Sequence, residues 1–192
     1  NQYESVFNEY PDLSKDHRWR IEHAQHIDPV DIPRFGTLKV IASIQGIHMS
    51  SDRPWAINRL GIKRINQGAY AWNSLLVSGA IVINGTDTPV ESINPIASFY
   101  SLVSRKKLDG LPVAGYESWE KMTRSQALRS YTLSAAYAAF EEDLKGSIEI
   151  GKAADFTILS NDIMTVPEDK ILSTKILYTI VNGKILYDHK KM

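Results

Sequence analysis

There is no cysteine in the 192 residues. Disulfide frameworks, cysteine–zinc sites and thiol nucleophiles are therefore excluded. The absence also leans toward a reducing compartment, and a cytoplasmic location is the expectation that it sets. Nor is there an excess of charge: 22 lysines and arginines face 22 aspartates and glutamates. A balanced chain offers no electrostatic footprint for nucleic acid or for an anionic membrane surface, so neither is expected as a partner. No apolar run approaches the roughly 18 residues that a membrane span needs. Asn1-Gln2-Tyr3-Glu4 lacks the basic and apolar regions of a secretory signal. It also lacks an initiator methionine, so the chain is expected to be processed or to begin inside a longer protein. No internal repeat and no low-complexity tract occurs.

What is present is the balance of a soluble globular protein, 43% hydrophobic and 23% charged residues. The length suits one domain, or one domain with a small appendage. Arg18 to His23 alternates in character and reads as a strand whose end delivers His23. Asp28-Pro29 opens a short helix through about Leu38. Val40 to Ile44 is a compact apolar run, as in a strand buried on both faces. A loop from Gln45 to Pro54 is expected next, then helical material from Trp55 through Ser78. Ala80 to Asn84 is another buried strand, feeding into Gly85-Thr86-Asp87, and Asn94 to Val103 reads as a helix. After a polar segment from Ser104 to Glu117, Thr123-Arg124-Ser125-Gln126 has the form of a capping box. Its helix is predicted to run to about Phe140. Beyond it lie short strands at Asp155–Leu159, Ile176–Val181 and Lys184–Tyr187, with Asn182-Gly183 as a type I′ hairpin turn.

This order predicts an α/β chain: βα units on a parallel sheet up to residue 140, then a small antiparallel patch. In a (β/α)8 barrel the C-terminal ends of the strands are where chemistry is built, and a full barrel needs about 250 residues. The chain can therefore hold less than half of one.

Three strand ends carry candidate groups. The first gives Glu22, His23 and His26; the second gives His48 and Asp52; the third gives Asp87. A neutral imidazole and a carboxylate on neighbouring strand ends suit a zinc-like divalent ion, and the carboxylate could accept a proton from an attacking water. Each group also has a plainer reading. A histidine at a strand end is commonly a hydrogen-bonded structural residue, and Gly85-Thr86-Asp87-Thr88-Pro89 also reads as a turn. His17 and His26 read as surface residues, and Arg105-Lys106-Lys107 as a solvated loop.

Taken in order, the segments resemble the amidohydrolase superfamily, and within it amidohydrolase family 3, the group of N-substituted formamide deformylase-like enzymes. Arg20-Ile21-Glu22-His23-Ala24-Gln25 resembles the strand-six motif. Gln45 through Trp55 resembles the strand-seven loop, although Gly46 stands where proline is common. Gly68 through Leu76 resembles the following helix. Gly85-Thr86-Asp87-Thr88-Pro89-Val90-Glu91 with Asn94-Pro95 resembles the strand-eight motif. Arg129 through Ala138 resembles the next helix, and Gly146-Ser147-Ile148-Glu149-Ile150-Gly151-Lys152-Ala153-Ala154-Asp155 the return to a β-sandwich-like domain, where glycine permits a tight turn.

The resemblance implies a metal-dependent hydrolase of non-peptide carbon–nitrogen bonds with a small-molecule amide as substrate. It assigns residues 1–140 to barrel strands six to eight with their helices, and 141–192 to the C-terminal strands of a composite β-sandwich. His23 and Asp87 would be metal ligands, with zinc the expected ion, and Asp87 would also act as general base and then general acid. His48 and Asp52 would lie on the substrate side. No His-x-His pair occurs in the chain, so its missing ligands would come from an N-terminal part of the same protein or from a second copy. A non-catalytic relative that binds a small molecule, or an interaction module, remains the competing reading. The isolated chain is accordingly expected to bind zinc weakly and not to turn over substrate; calorimetry showing tight binding would contradict this.

Overall fold

Three short parallel strands form the sheet that organises the site, in the order β1 (Arg20–Glu22), β2 (Ile41–Ile44) and β3 (Val82–Asn84). The computed structural model describes residues 2–191. Glu22 pairs with Ser43, and Ile44 with Asn84, so all three strands end at one rim. Parallel neighbours need a crossover. Helix α1 (Gln2–Glu9) precedes β1; α2 (Ile32–Thr37) joins β1 to β2, and α3 (Gly46–Gly68) with α4 (Trp72–Val77) joins β2 to β3. α5 (Pro95–Ser104), α6 (Arg124–Tyr131) and α7 (Leu133–Ala138) follow. All four residues of β2 are buried, as expected of a strand covered on both faces. The core around them includes Ile44, Met49, Ile65, Trp72, Leu75, Val82 and Leu102. No helix among the described residues is long and apolar enough to cross a membrane.

A second sheet is antiparallel, with β4 (Phe156–Leu159), β5 (Ile176–Val181) and β6 (Lys184–Asp188) in sequence order. Asn182 and Gly183 have φ of 49° and 75°, the two positive values that a type I′ turn requires. The capping box also forms: Thr123 accepts from the Gln126 amide, and the Gln126 side chain accepts from the Thr123 amide.

Several expectations change. The stretch from Gln45 to Pro54 is not a loop, because α3 begins at Gly46. No local side chain caps that helix; its first amides are satisfied from distant elements, which a local reading cannot see. Helical structure also does not run unbroken to Ser78. Residues 68–70 pair instead with 25–27: Ile27 N donates to Gly68 O at 2.8 Å, and Tyr70 N to Gln25 O at 2.7 Å. A Cβ at Gly68 would lie 1.8 Å from Ile27 O, so this approach requires glycine. The helix expected to reach Phe140 breaks at Thr132 (φ −117°, ψ −96°), whose hydroxyl donates to Leu128 O, a side-chain bond that bends helices. His17 is half-buried rather than exposed. Its Nδ1 accepts from Trp19 N, so Nε2 is the donor to Leu38 O. His26 is exposed, as read from the sequence.

The basic cluster divides likewise. Lys106 and Lys107 pair with Glu168 and Asp109, but the Arg105 side chain is fully buried. Arg105 takes a left-handed conformation at the end of α5 (φ 61°). It donates to Tyr70 O at 2.7 Å, Tyr116 O at 2.9 Å and Glu117 at 3.3 Å, and lies 4.5 Å from the Trp72 ring centroid. Arg53 of α3 meets the same Glu117 carboxylate at 2.7 Å. Burial pushes the Arg105 guanidinium down to about 10, with Glu117 foremost in opposing it. One carboxylate therefore ties α3, the end of α5 and the α3–α4 junction together. Removing it by Glu117→Leu would strand two buried cations and is expected to cost about 3–5 kcal/mol. Urea unfolding should show that loss, and adding Arg53→Met and Arg105→Met should recover much of it. An unchanged midpoint in the single variant would contradict the clamp.

Candidate metal centre

The shared rim places the three candidate strand ends side by side. After β1 the chain turns through two consecutive left-handed residues, His23 (φ 68°) and Ala24 (φ 38°). Non-glycine residues rarely adopt this conformation, and it concentrates at functional sites. The turn sets His23 at the rim with Nδ1 2.8 Å from Gln45 Oε1. Gln45 is the residue after β2, and its side chain lies under the rim, 9% exposed. After β3, Asp87 is also left-handed (φ 57°), a conformation that aspartate tolerates better than most residues.

His48 sits in the first turn of α3, 6% exposed. Two contacts from afar fix that turn: Gly46 N donates to Asn84 Oδ1 at 2.8 Å, and Ile47 N to Ser98 Oγ at 3.1 Å. The Asn84 amide also donates to Ser98. Close by, burial pushes the Tyr131 phenol up to about 12, so it stays neutral. Gly46 belongs here on two counts. A Cβ would meet Leu102 at 2.7 Å, and a proline would lack the N–H that Asn84 accepts. Glycine therefore suits the place where the motif that this segment resembles commonly has proline.

The His48 ring stacks with His23, centroids 5.8 Å apart and planes 19° apart. His48 Nε2 is buried and has no hydrogen-bond partner among the described residues. Asp87 Oδ2 lies 3.8 Å from it, too far for a hydrogen bond. One ligand atom each from His23, His48 and Asp87 lies within 4.8 Å of the others. Asp52 stands about one turn further along α3, where it accepts from Gln25 Nε2 at 3.3 Å; the same amide donates to Tyr70 OH at 3.1 Å. Burial holds the Tyr70 phenol well above its usual range. Glu22 points along the sheet, accepting from Ser43 at 2.6 Å and Arg20 at 2.5 Å. Burial raises its carboxyl, but these two partners outweigh that and leave it below the ordinary value.

His23 and Asp87 thus converge on one rim. His48, expected on the substrate side, joins them, while Asp52 stands beside the cluster. Gln45 and Asn84 were not picked out from the sequence. The one signal was an amide side chain at or just past the end of each buried apolar run.

Two imidazoles and a carboxylate form a donor set suited to zinc and related divalent ions. A buried imidazole nitrogen without a partner is costly unless something completes it, and His48 Nε2 meets that description. Tetrahedral zinc with bonds of ~2.1 Å would hold its ligands about 3.4 Å apart, so the cluster fits an ion after a modest closing of side chains.

The amidohydrolase family profile matches residues 1–187. The chain belongs to the amidohydrolase family. It is 38% identical over 190 residues to Protein LONG AFTER FAR-RED 3 of Arabidopsis thaliana, covering 97% of this chain and 31% of that protein. It is 30% identical over 115 residues to N-substituted formamide deformylase of Arthrobacter pascens, covering 60% of this chain and 21% of that enzyme. Among solved structures, a metal-dependent hydrolase from Pyrococcus horikoshii OT3 matches with a TM-score of 0.67 and 26% identity, over 85% of this chain and 33% of that one. This amidohydrolase chain spans at most a third of each of these proteins.

The Asn84 contact can be tested directly. Asn84→Leu leaves the Gly46 amide unpaired in a buried place and is expected to cost about 1–3 kcal/mol. It should also shift the His48 ring resonances, because the helix start loses its anchor. Unchanged His48 resonances in a folded variant would contradict the anchoring role.

Proposed function

We propose that this chain carries part of the metal site and the proton-transfer group of a hydrolase acting on non-peptide carbon–nitrogen bonds of small amides. The observation that carries the reading is the convergence of His23, His48 and Asp87, with a buried His48 nitrogen lacking a partner. The names of the formamide deformylase and the metal-dependent hydrolase among its relatives support it.

In this reading His23 and His48 each offer a ring nitrogen, and Asp87 a carboxylate oxygen, to a divalent ion, with zinc the first choice. Such an ion polarises the substrate carbonyl and makes water more acidic. Asp87, partly exposed at the same rim, takes the proton from the attacking water and delivers it to the leaving nitrogen. One carboxylate then serves as base and acid in turn. Asp52 and Gln25 lie on the side where the substrate would enter and offer a carboxylate and an amide to it.

The parallel sheet and its helices, residues 1–140, correspond on this reading to strands six to eight of a (β/α)8 barrel, and residues 141–192 to the C-terminal strands of a sandwich. The rest of the barrel, from an N-terminal part of the same protein or from another copy, would supply further ligands. β1 pairs only with β2 among the described residues, which leaves an edge for that addition.

Zinc titration of the chain, followed through histidine ring 15N shifts, tests the assignment. His23 and His48 should move together with modest affinity, and Asp87→Asn should weaken the response at least tenfold, the scale seen when metal-site groups are removed. No amide hydrolysis is expected from the chain alone. Shifts confined to His17, His26 or His189 would refute the site.

A further inference from the structure

His23 occupies an awkward place for a residue that must present one ring nitrogen in one direction. It lies beyond the end of β1, in left-handed backbone, and is exposed. Neither strand geometry nor close packing therefore fixes its ring. Among the described residues its ring has a single hydrogen-bond partner, the side chain of Gln45 at 2.8 Å. Gln45 is itself well held. It directly follows the fully buried β2, is 9% exposed, and its carbonyl accepts the His48 amide at 3.1 Å. One residue thus touches both histidines of the cluster, one through its side chain and the other through its backbone.

We propose that Gln45 is the positioning residue of this site: its side-chain oxygen holds the His23 ring in the Nδ1–H form, so that Nε2 keeps its lone pair for the cluster. An amide oxygen can only accept, so the proton on the shared bond belongs to Nδ1. A histidine ligand characteristically donates its other ring N–H to such a partner, which sets tautomer and orientation together. The opposite amide orientation would put an NH2 against Nδ1, force the proton onto Nε2 and turn a donor toward the place where a lone pair is required. Glutamine supplies the acceptor without adding a negative charge to a rim that already carries Asp52 and Asp87. The use of the lone pair rests on the metal reading above; the tautomer does not.

Long-range 1H–15N correlation of the metal-free chain, at pH ~8 where an ordinary imidazole is neutral, reads the tautomer directly. His23 should be in the Nδ1–H form. Gln45→Met keeps the length of the side chain but loses the carbonyl, and should move His23 to the Nε2–H form that a free imidazole prefers. Gln45→Glu keeps an acceptor and should retain Nδ1–H. Zinc affinity should fall about 10–100-fold in the methionine variant and recover in the glutamate variant. An Nε2–H tautomer in the unaltered chain, or an unchanged tautomer in a folded Gln45→Met, would overturn the proposal. Should the methionine variant not fold, the unaltered chain and the glutamate variant still decide it. A tautomer that follows residue 45 while zinc leaves both histidines unmoved would sustain the positioning role and refute the metal site instead.

Discussion

The contact between the Asn84 side chain and the Gly46 amide is the constraint on which the site depends. α3 begins without a cap of its own: Gln45 is extended (φ −127°, ψ 99°) and its side chain serves His23 instead. The first amides of a helix must still find acceptors. Here Asn84, at the end of the neighbouring strand, and Ser98, on α5, provide them. Both bonds are buried, so shifting the helix along its axis would leave donors unpaired in a dry place. The depth of His48 is fixed by that penalty, and with it the distance from His48 to His23 and Asp87.

A second tie acts further along the same helix. Arg53 and Arg105 share the Glu117 carboxylate, in surroundings where an unpaired charge would be far more costly than an unpaired amide. Between these two anchors α3 carries His48 and Asp52. Beyond them it kinks at Gly61 (φ 75°, ψ 155°), and most of the outer part is exposed. Its far end is held again, by Ile65 in the core and by the pairing of Gly68 O with Ile27 N.

The same division appears at the strand ends. β1, β2 and β3 contribute only three or four residues each, yet their parallel register brings the following residues to one rim. Each strand end then departs from regular structure in its own way. The first turns through left-handed residues at His23 and Ala24, the second passes directly into α3, and the third enters a loop with Asp87 left-handed. Regular hydrogen bonding locates the rim, and local irregularity aims the side chains.

Much of this was legible in the chain itself. Apolar runs marked β2 and β3, Thr123 and Gln126 marked the start of α6, and Asn182-Gly183 marked the β5–β6 hairpin, because each depends on neighbours within a few residues. His23 and Asp87 were legible as strand-end groups for the same reason. What tertiary structure decided is what depends on partners far along the chain. Gly46 looked like part of a loop because its acceptor is Asn84, 38 positions away. Arg105 looked solvated because Glu117, Tyr70 and Trp72 meet it only in the fold. The meeting of the His48 and His23 rings was not legible either, because only the register of three strands brings them together. Local spacing determines which residues can reach a rim; long-range pairing of buried polar groups determines which of them meet there.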